Sequence, residues 1–546
     1  MEKDTRPFVL LLLVVFIIFF LRLYQLQLVE GKKNRFLAES NRVARLRIEA
    51  PRGLLVDREG EVLATNEPIY ILEEESSGEK KGKIISRDEA LRMQAEGRDG
   101  SLRLALRRRY PAGETSAHLL GYLGEVTKEE LKQGKLDLKG YQQGSLIGRV
   151  GLEAQYEELL RGREGNELVE VDTQGKVIRR MGRILPSLGK SLTLAIDKKL
   201  QEAAAKAIGN RKGAIVASNP QTGEILVLYS SPSYDPNLFF QEDNREEILR
   251  IVNDETNRPL LNRVISGLFA PGSTFKIVTS IAGLEEGKIT SRTLINDPGV
   301  ITIGDFQYHN WYFASYGRTE GEVDLTKALA RSVDTYFYKV GEMVGIEKLN
   351  FWAERFGVKK KTGIDLPGEL PGFMANPEWK KKAKGEPWFL GNTYHIAIGQ
   401  GDLVLTPLEV NQITSAVANE GKLCQPRMLK LGAENTLYEA ECRDLGVKKE
   451  YWEVVKKGMV AACSAGGTAS VFFDFHPSGL PANWRVACKT GTAETGDGKT
   501  SHAWFTAMAP SDNPEIAVTV LVEKGGEGSS VAAPIAKEIL KEYFKE

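Results

Sequence analysis

An unbroken apolar run from Phe8 to Leu21, continued to Leu28 with Arg22 as its single charge, divides this 546-residue chain before any other feature does. A helix of that length reaches across the roughly 30 Å of hydrocarbon in a bilayer, and Arg22 can snorkel to the interface. The residues after it, LYQLQLVEGKKN, are bulky and polar and contain no small-x-small cleavage site, so the reading is a retained anchor and not a cleaved signal peptide. Residues 1–7 then form a short stub and 8–28 the span. Lys3 and Arg6 precede it while Arg22, Lys32, Lys33 and Arg35 come after, a bias opposite to the positive-inside rule. Long domains translocate regardless of such flanks, so charge does not set the orientation.

The chain beyond the span is long enough for roughly two to four domains. Lys plus Arg and Asp plus Glu number 73 each, which removes the basic field expected of a nucleic-acid binder and the acidic excess of a disordered chain. With five scattered histidines and no H-E-x-x-H, neither a catalytic metal nor any other cofactor is expected. The cysteines show no C-x-x-C spacing. Cys463 and Cys488 sit in apolar surroundings and read as buried thiols, whereas Cys424 and Cys442 lie in a polar segment and could pair in an oxidising compartment.

From Asn41 to Glu67 apolar and charged residues alternate around turns at Pro51 to Gly53 and Glu59 to Gly60, the texture of short strands. EEESSGEKKGK reads as a polar loop, SRDEALRMQAEG as a helix, and the arginines of LRLALRRRYPAG (Arg103, Arg107, Arg108, Arg109) as a solvated helix face, with contact to a partner or an anionic polymer as the alternative. GLEAQYEELLRGREGNELVEVDTQGKVI reads as a helix stopped by Gly162, then a hairpin. From Ser191 a strand runs into a helix capped near Asp197, and two strands flank the turn Pro220 to Gly223. NWRVACKTGTA, HAWFTAMAPSDNPEIAVTVLVE and a final helix close the chain. Strand pairs at both ends with helices between them predict one antiparallel sheet packed by helices, an α+β domain.

Ser273-x-x-Lys276 stands at the start of an apolar helix, STFKIVTSIAGLEEG. A lysine one turn after a serine can take the hydroxyl proton if burial depresses its pKa, and a helix N-terminus aims N–H groups and positive dipole at the site. Ser77 to Lys80 and Ser187 to Lys190 repeat the spacing, but in a polar loop and a linker turn. Acyl transfer of this kind needs a second polar group and a substrate-holding strand. Ser332-Val333-Asp334 lies in LTKALARSVDTYFYKVGEMVG, read as a buried helix, while the literal Ser-Asp-Asn at 511–513 is a turn. Lys489-Thr490-Gly491-Thr492 ends an alternating run, whereas Lys361 to Gly363 runs into prolines. Gly491 would let a substrate backbone approach, with Lys489, Thr490 and Thr492 as donors to a carboxylate.

Taken in order, these three motifs resemble the active site of penicillin-binding proteins. PRGLLVDREGEVLATN, RRRYPAGETSAHLLGYLGEV, GLEAQYEELLRGREG, TGIDLPGE, IGQGDLVLTPLE and HAWFTAMAP are similar to blocks of class B members, covering most of the chain from Asn41 onward. The resemblance implies a β-rich pedestal (dimerisation-like) region over 29–188 and a serine β-lactamase-like transpeptidase domain over 189–546, on the outer side of a cell membrane crossed once. It implies a peptidoglycan D,D-transpeptidase inhibited by β-lactams. By the same resemblance Ser273 would be the nucleophile, Lys276 the base and Ser332 the proton relay, with an oxyanion hole from the N–H groups of Ser273 and Thr492. A RodA-like membrane glycan polymerase and other elongation proteins are the implied partners, and stem peptides the substrate. Asp334 departs from the commoner asparagine. Either it is protonated or a further cation, Lys489, balances it. The aspartate form resembles the elongation type, the penicillin-binding protein 2 group, with the septal type as alternative and a penicillin-sensing receptor or a β-lactamase as remoter ones. No residue stands out as base for a lactamase's deacylating water.

Overall fold

The computed structural model describes residues 6–32, 43–76, 79–97, 102–134, 140–171, 177–240, 244–432, 439–496 and 498–545. Ser77, the first decoy serine, lies outside them. The chain divides into two compact units, one of residues 1–53, 68–106 and 161–190, the other of 54–67, 107–160 and 191–546.

The smaller unit contains helix α1 (Arg6–Tyr24), which overlaps a stretch, Val9–Val29, long and apolar enough to cross a membrane. Its strand β1 (Val43–Ile48) is followed by a long strand β2 (Val62–Ser76), entering from the larger unit, which pairs with β3 (Glu79–Ile85). Residues 73–76 and 79–83 of the stretch read as a polar loop therefore lie in two paired strands. Helix α2 (Arg87–Ala95) starts where Ser86 accepts a hydrogen bond from the N–H of Glu89, the capping that its sequence implies. The arginine-rich segment is strand β4 (Leu102–Arg109), not a helix. Its leucines recur at every second residue, and each arginine finds a carboxylate: Arg103 with Glu49 at 3.1 Å, Arg107 and Arg109 with Glu67, and Arg108 with Glu153 at 2.7 Å in full burial. Strands β5 (Gly165–Val171) and β6 (Val177–Ile184) form the predicted hairpin, with β1 on the other side of β5.

In the larger unit α3 (Lys198–Ile208) is capped by Asp197, as expected, and leads into β7 (Gly213–Ser218) and β8 (Ile225–Ser231). Helices α4 (Lys276–Glu285), α5 (Leu325–Arg331), α6 (Asp334–Val344), α7 (Pro407–Ala418) and α8 (Lys449–Ala462) come next. Strands β9 (Ala487–Glu494), β10 (Ser501–Ala509) and β11 (Ile516–Val522) and helix α9 (Ala533–Tyr543) complete it. The five long strands make one antiparallel sheet in the order β8-β7-β11-β10-β9, so the two ends of the domain meet at its centre.

Side chains alternate across a strand, and β10 shows the consequence: Trp504 and Met508 enter the core with α4 and α8, while Phe505 and Ala507 enter the core with α3 and α9. Helices thus cover both faces, which is why IAVTVLV in β11 is apolar or buried at every position. Strand β9 is an edge strand. Cys463, just after α8, is disulfide-bonded to Cys488 on β9, which corrects the reading of these two as buried thiols: the apolar setting reflected a sheet and a helix meeting there. Cys424 and Cys442 are also paired, across a two-stranded ladder.

Candidate active site

Gly272–Phe275 form a 3-10 turn that feeds directly into α4, so Ser273 sits on the turn and Lys276 is the first residue of the helix. Gly272 has φ +55°, and a side chain there would meet the carbonyl oxygen of Thr492 at 2.9 Å. The turn therefore lies directly on β9. Gly491 shows the same closeness from the strand side. A Cβ on it would stand 3.0 Å from Trp504 Cβ, 3.1 Å from Thr274 Cγ2 and 3.2 Å from Pro271 O. Its small size serves this internal contact.

Ser332 and Asp334 do not share one helix. Ser332 ends α5 in the left-handed conformation, φ +54° and ψ 41°, and Asp334 opens α6. A non-glycine residue held at positive φ is a local strain that surrounding contacts must maintain, and here it turns the serine hydroxyl toward two amines. Lys276 Nζ donates to Ser332 O at 2.8 Å and to Asp334 Oδ1 at 2.7 Å, and lies 3.3 Å from Ser332 Oγ. Lys489 Nζ lies 2.9 Å from the same Ser332 Oγ and donates to Thr490 O at 3.0 Å. Both lysines are fully buried. Ser273 is half-buried, and its hydroxyl is not among the partners of Lys276.

Burial pushes the Lys276 amine below the ordinary lysine range, against the opposing pull of the Asp334 carboxylate. Lys489 is driven well below it, first by burial and then by the positive charge of Lys276, with Asp334 only partly compensating. Asp334 uses both oxygens as acceptors, Oδ1 from Lys276 and Oδ2 from the N–H of Trp311 at 2.9 Å, the bonding pattern of a carboxylate. Its own N–H donates to Asn310 Oδ1 at 3.1 Å, Asn310 Nδ2 donates to Asp297 Oδ2 at 2.8 Å, and Thr335 donates to Asp297 Oδ1 at 2.7 Å. Asn310, Trp311 and Asp297 were not candidates from the sequence. Trp311 acts through its backbone N–H, which carries no sequence signal at all.

Thr490 donates to Thr468 at 2.9 Å, another residue that no motif announced. Thr492 is exposed, and its carbonyl accepts from Gln400 Nε2 at 3.3 Å. In an antiparallel strand the N–H and C=O of one residue point to the same side, so the Thr492 N–H also faces the open edge of β9. Gln400 lies in the IGQGDL stretch, on a tight turn where a side chain at Gly399 (φ +78°) would meet Gly272 O at 2.0 Å. Among the described residues no three His, Cys, Asp or Glu side chains converge as a metal site.

Comparison with known proteins bears on this arrangement. Residues 101–194 match a family model described as the penicillin-binding protein dimerisation domain. The peptidoglycan D,D-transpeptidase MrdA of Haemophilus influenzae is 33% identical, over 97% of this chain and 89% of that protein. The solved complex of the Helicobacter pylori penicillin-binding protein PBP2 with MreC has a TM-score of 0.78 at 30% identity, covering 92% of this chain and 98% of that one. A structure titled as the coordination of polymerization and crosslinking by a peptidoglycan synthase complex gives a TM-score of 0.78 at 29% identity, covering 100% of this chain and 99% of that one. Residues 213–541, more than half of the sequence, match the model of the penicillin binding protein transpeptidase domain, and the chain belongs to that family.

Proposed function

We propose that the chain is an elongation-type peptidoglycan D,D-transpeptidase that works through an acyl-enzyme on Ser273. The observation that carries the reading is the hydrogen-bonded set Lys276, Ser332, Asp334 and Lys489, buried directly behind the turn that bears Ser273 and beside an open strand edge. Ser273 Oγ attacks the penultimate D-alanine carbonyl, and its proton passes to the Lys276 amine, whose neutral form burial favours. The C–N bond to the terminal D-alanine breaks, and that nitrogen takes a proton from Ser332 Oγ, re-supplied from the lysines on either side of it. An amine of a second stem peptide then attacks the ester, forming the cross-link and freeing Ser273. The N–H groups of Ser273 and Thr492 take the developing oxyanion, and Lys489, Thr490 and Thr492 the substrate carboxylate, with Gly491 keeping strand and turn in contact.

The apolar helix near the N-terminus, residues 8–28 in this reading, is the membrane anchor, 29–188 the pedestal and 189–546 the catalytic domain, held outside the cytoplasm. The partner is a RodA-like glycan polymerase, in keeping with the relatives titled as assemblies with MreC and as a synthase complex. Incubating the full-length protein with a fluorescent penicillin tests the core of the proposal. Slow-releasing label on wild type and none on Ser273→Ala is expected; label that persists on Ser273→Ala removes Ser273 as nucleophile, and rapid release marks a lactamase.

A further inference from the structure

A cavity of about 650 Å³ opens between α7, the end of the helix Ile346–Arg355 and the ladder that joins Cys424 to Cys442. None of its lining residues belongs to the cluster around Ser273. Phe356 and Leu423 give it an apolar wall, and charged groups surround the rest. Those charges are unevenly satisfied. Of the carboxylates, Glu354 pairs with Lys359 at 3.0 Å and Glu441 with Arg427 at 3.1 Å, while Glu409 accepts from the N–H groups of Gly372 and Thr406, each at 2.8 Å. Burial also raises the Glu409 carboxyl to about 7, so near neutral pH it carries only part of a charge. The cations lack such partners. Among the described residues the ammonium groups of Lys360 and Lys361 make no hydrogen bond or ion pair. Arg443 donates to the Arg355 carbonyl at 2.6 Å and Arg355 to the Leu445 carbonyl at 2.9 Å, and among the described residues neither guanidinium has a carboxylate partner. Partial desolvation, and then the charge of Arg355, hold Arg443 below the ordinary arginine range, a strain that a bound anion relieves.

Gln412 of α7 lines the same cavity. It is 4% exposed, and among the described residues its amide has no hydrogen bond. Buried amides are ordinarily paired, because burial takes away their bonds to water. The Gln412 carbonyl accepts and its NH2 donates, the complement of a peptide group, which offers one N–H and one C=O. A guanidinium such as Arg443 matches the planar carboxylate, and each lysine can hold another. An inorganic phosphate would meet the cations but leave the Gln412 carbonyl without a donor and the apolar wall bare. We propose that this cavity binds a short acidic peptide, its carboxylates held by Arg443, Lys360 and Lys361, one backbone amide paired with Gln412, and an apolar side chain against Phe356 and Leu423. The volume lies within the range of roughly 300–1,000 Å³ usual for ligand pockets.

The test uses the full-length protein in detergent and a fluorescein-labelled, C-terminally amidated tetrapeptide, Leu-Glu-Glu-Glu, beside its neutral counterpart Leu-Gln-Gln-Gln, with fluorescence polarisation as the readout. The acidic peptide is expected to bind about tenfold more tightly, with a gap that narrows as salt is raised. Arg443→Met, Gln412→Leu and the double variant Lys360→Met/Lys361→Met should each weaken it about tenfold. Gln412→Leu should do so without lowering the melting temperature, since the fold gives that amide no partner. Unaltered penicillin labelling reports an intact domain in each variant. Equal binding of the two peptides, or an acidic-peptide affinity unchanged by Arg443→Met and Gln412→Leu, overturns the proposal. Displacement of the peptide by equimolar inorganic phosphate would mark a site for small anions and overturns it as well.

Discussion

Ser332 Oγ lies 2.9 Å from Lys489 Nζ and connects that lysine to Lys276, 3.3 Å away on the other side. Two ammonium groups cannot both share one oxygen cheaply, and the depressed proton affinity of Lys489 reflects its burial and then that crowding, whereas that of Lys276 reflects its burial. When either amine is neutral, the hydroxyl can accept from one and donate to the other, which is the property a relay needs.

Ser332→Ala cuts this connection while keeping the backbone in place. Acylation by penicillin should fall about 10²- to 10³-fold, the share that a positioned proton-transfer group supplies. Stopped-flow labelling measures it. A loss below tenfold would show that protons bypass Ser332.

Asp334→Asn removes the charge that raises the Lys276 proton affinity but keeps an acceptor for the Trp311 N–H. With that pull gone, Lys276 loses its proton more readily, and the acid limb of the acylation rate profile should move to lower pH. Removing one member of a buried pair also destabilises, by about 3 kcal/mol, so the profile is to be followed below the variant's melting temperature. An unmoved limb would mean that the titrating base is not Lys276.

Gly491→Ala places a methyl group against Thr274 Cγ2 and Pro271 O, on the turn that bears Ser273. Overpacking of this kind costs about 1–3 kcal/mol. Because the contact joins β9 to the nucleophile turn, acylation should fall more than tenfold. Thermal melting alongside labelling separates displaced geometry from unfolding.

The motif residues were legible because each has a local context: an apolar helix start for Ser273 and Lys276, an alternating run for Lys489. The sheet was legible from strand pairs at both ends. What escaped depended on long-range docking or on backbone atoms. Asp334 is held by a Trp311 N–H that any residue could offer. Cys463 and Cys488 meet only because α8 docks on β9. LRLALRRR misled because charge at half of its positions hid the every-second-residue leucines of a strand whose arginines are ion-paired. The break at Ser332 also left no mark, since serine is an ordinary residue in a helix and its left-handed conformation is imposed by the cluster around it.

His118 predicts how the larger unit responds to acid. It is buried, its Nε2–H donates to Pro259 O at 2.7 Å, and burial together with the nearby Arg263 charge lowers its pKa to about 4 from an ordinary 6.5. A depressed histidine stays neutral in the fold while the unfolded chain takes up a proton, so stability is lost as pH falls from about 6.5 toward about 4. The loss should reach about 3 kcal/mol. Denaturant unfolding at pH 7 and pH 5 checks this, with His118→Gln expected to flatten that part of the dependence.

The Cys463–Cys488 bond should matter to catalysis as well as to stability, because Cys488 immediately precedes Lys489 on the edge strand. Closing a loop with a sequence separation of 25 residues is expected to stabilise by about 3 kcal/mol. The Cys463→Ala/Cys488→Ala double variant should therefore melt several degrees lower. It should also acylate more slowly at 25 °C, since one anchor of β9 beside the amine cluster is gone. The Cys424–Cys442 bond has a similar separation, 18 residues, but joins two strands of a separate ladder, β-paired at 422–424 and 442–444. Its double alanine variant should lose comparable stability and keep the wild-type acylation rate. Equal acylation in both variants would show that the bond at Cys488 supports the fold without setting the position of Lys489.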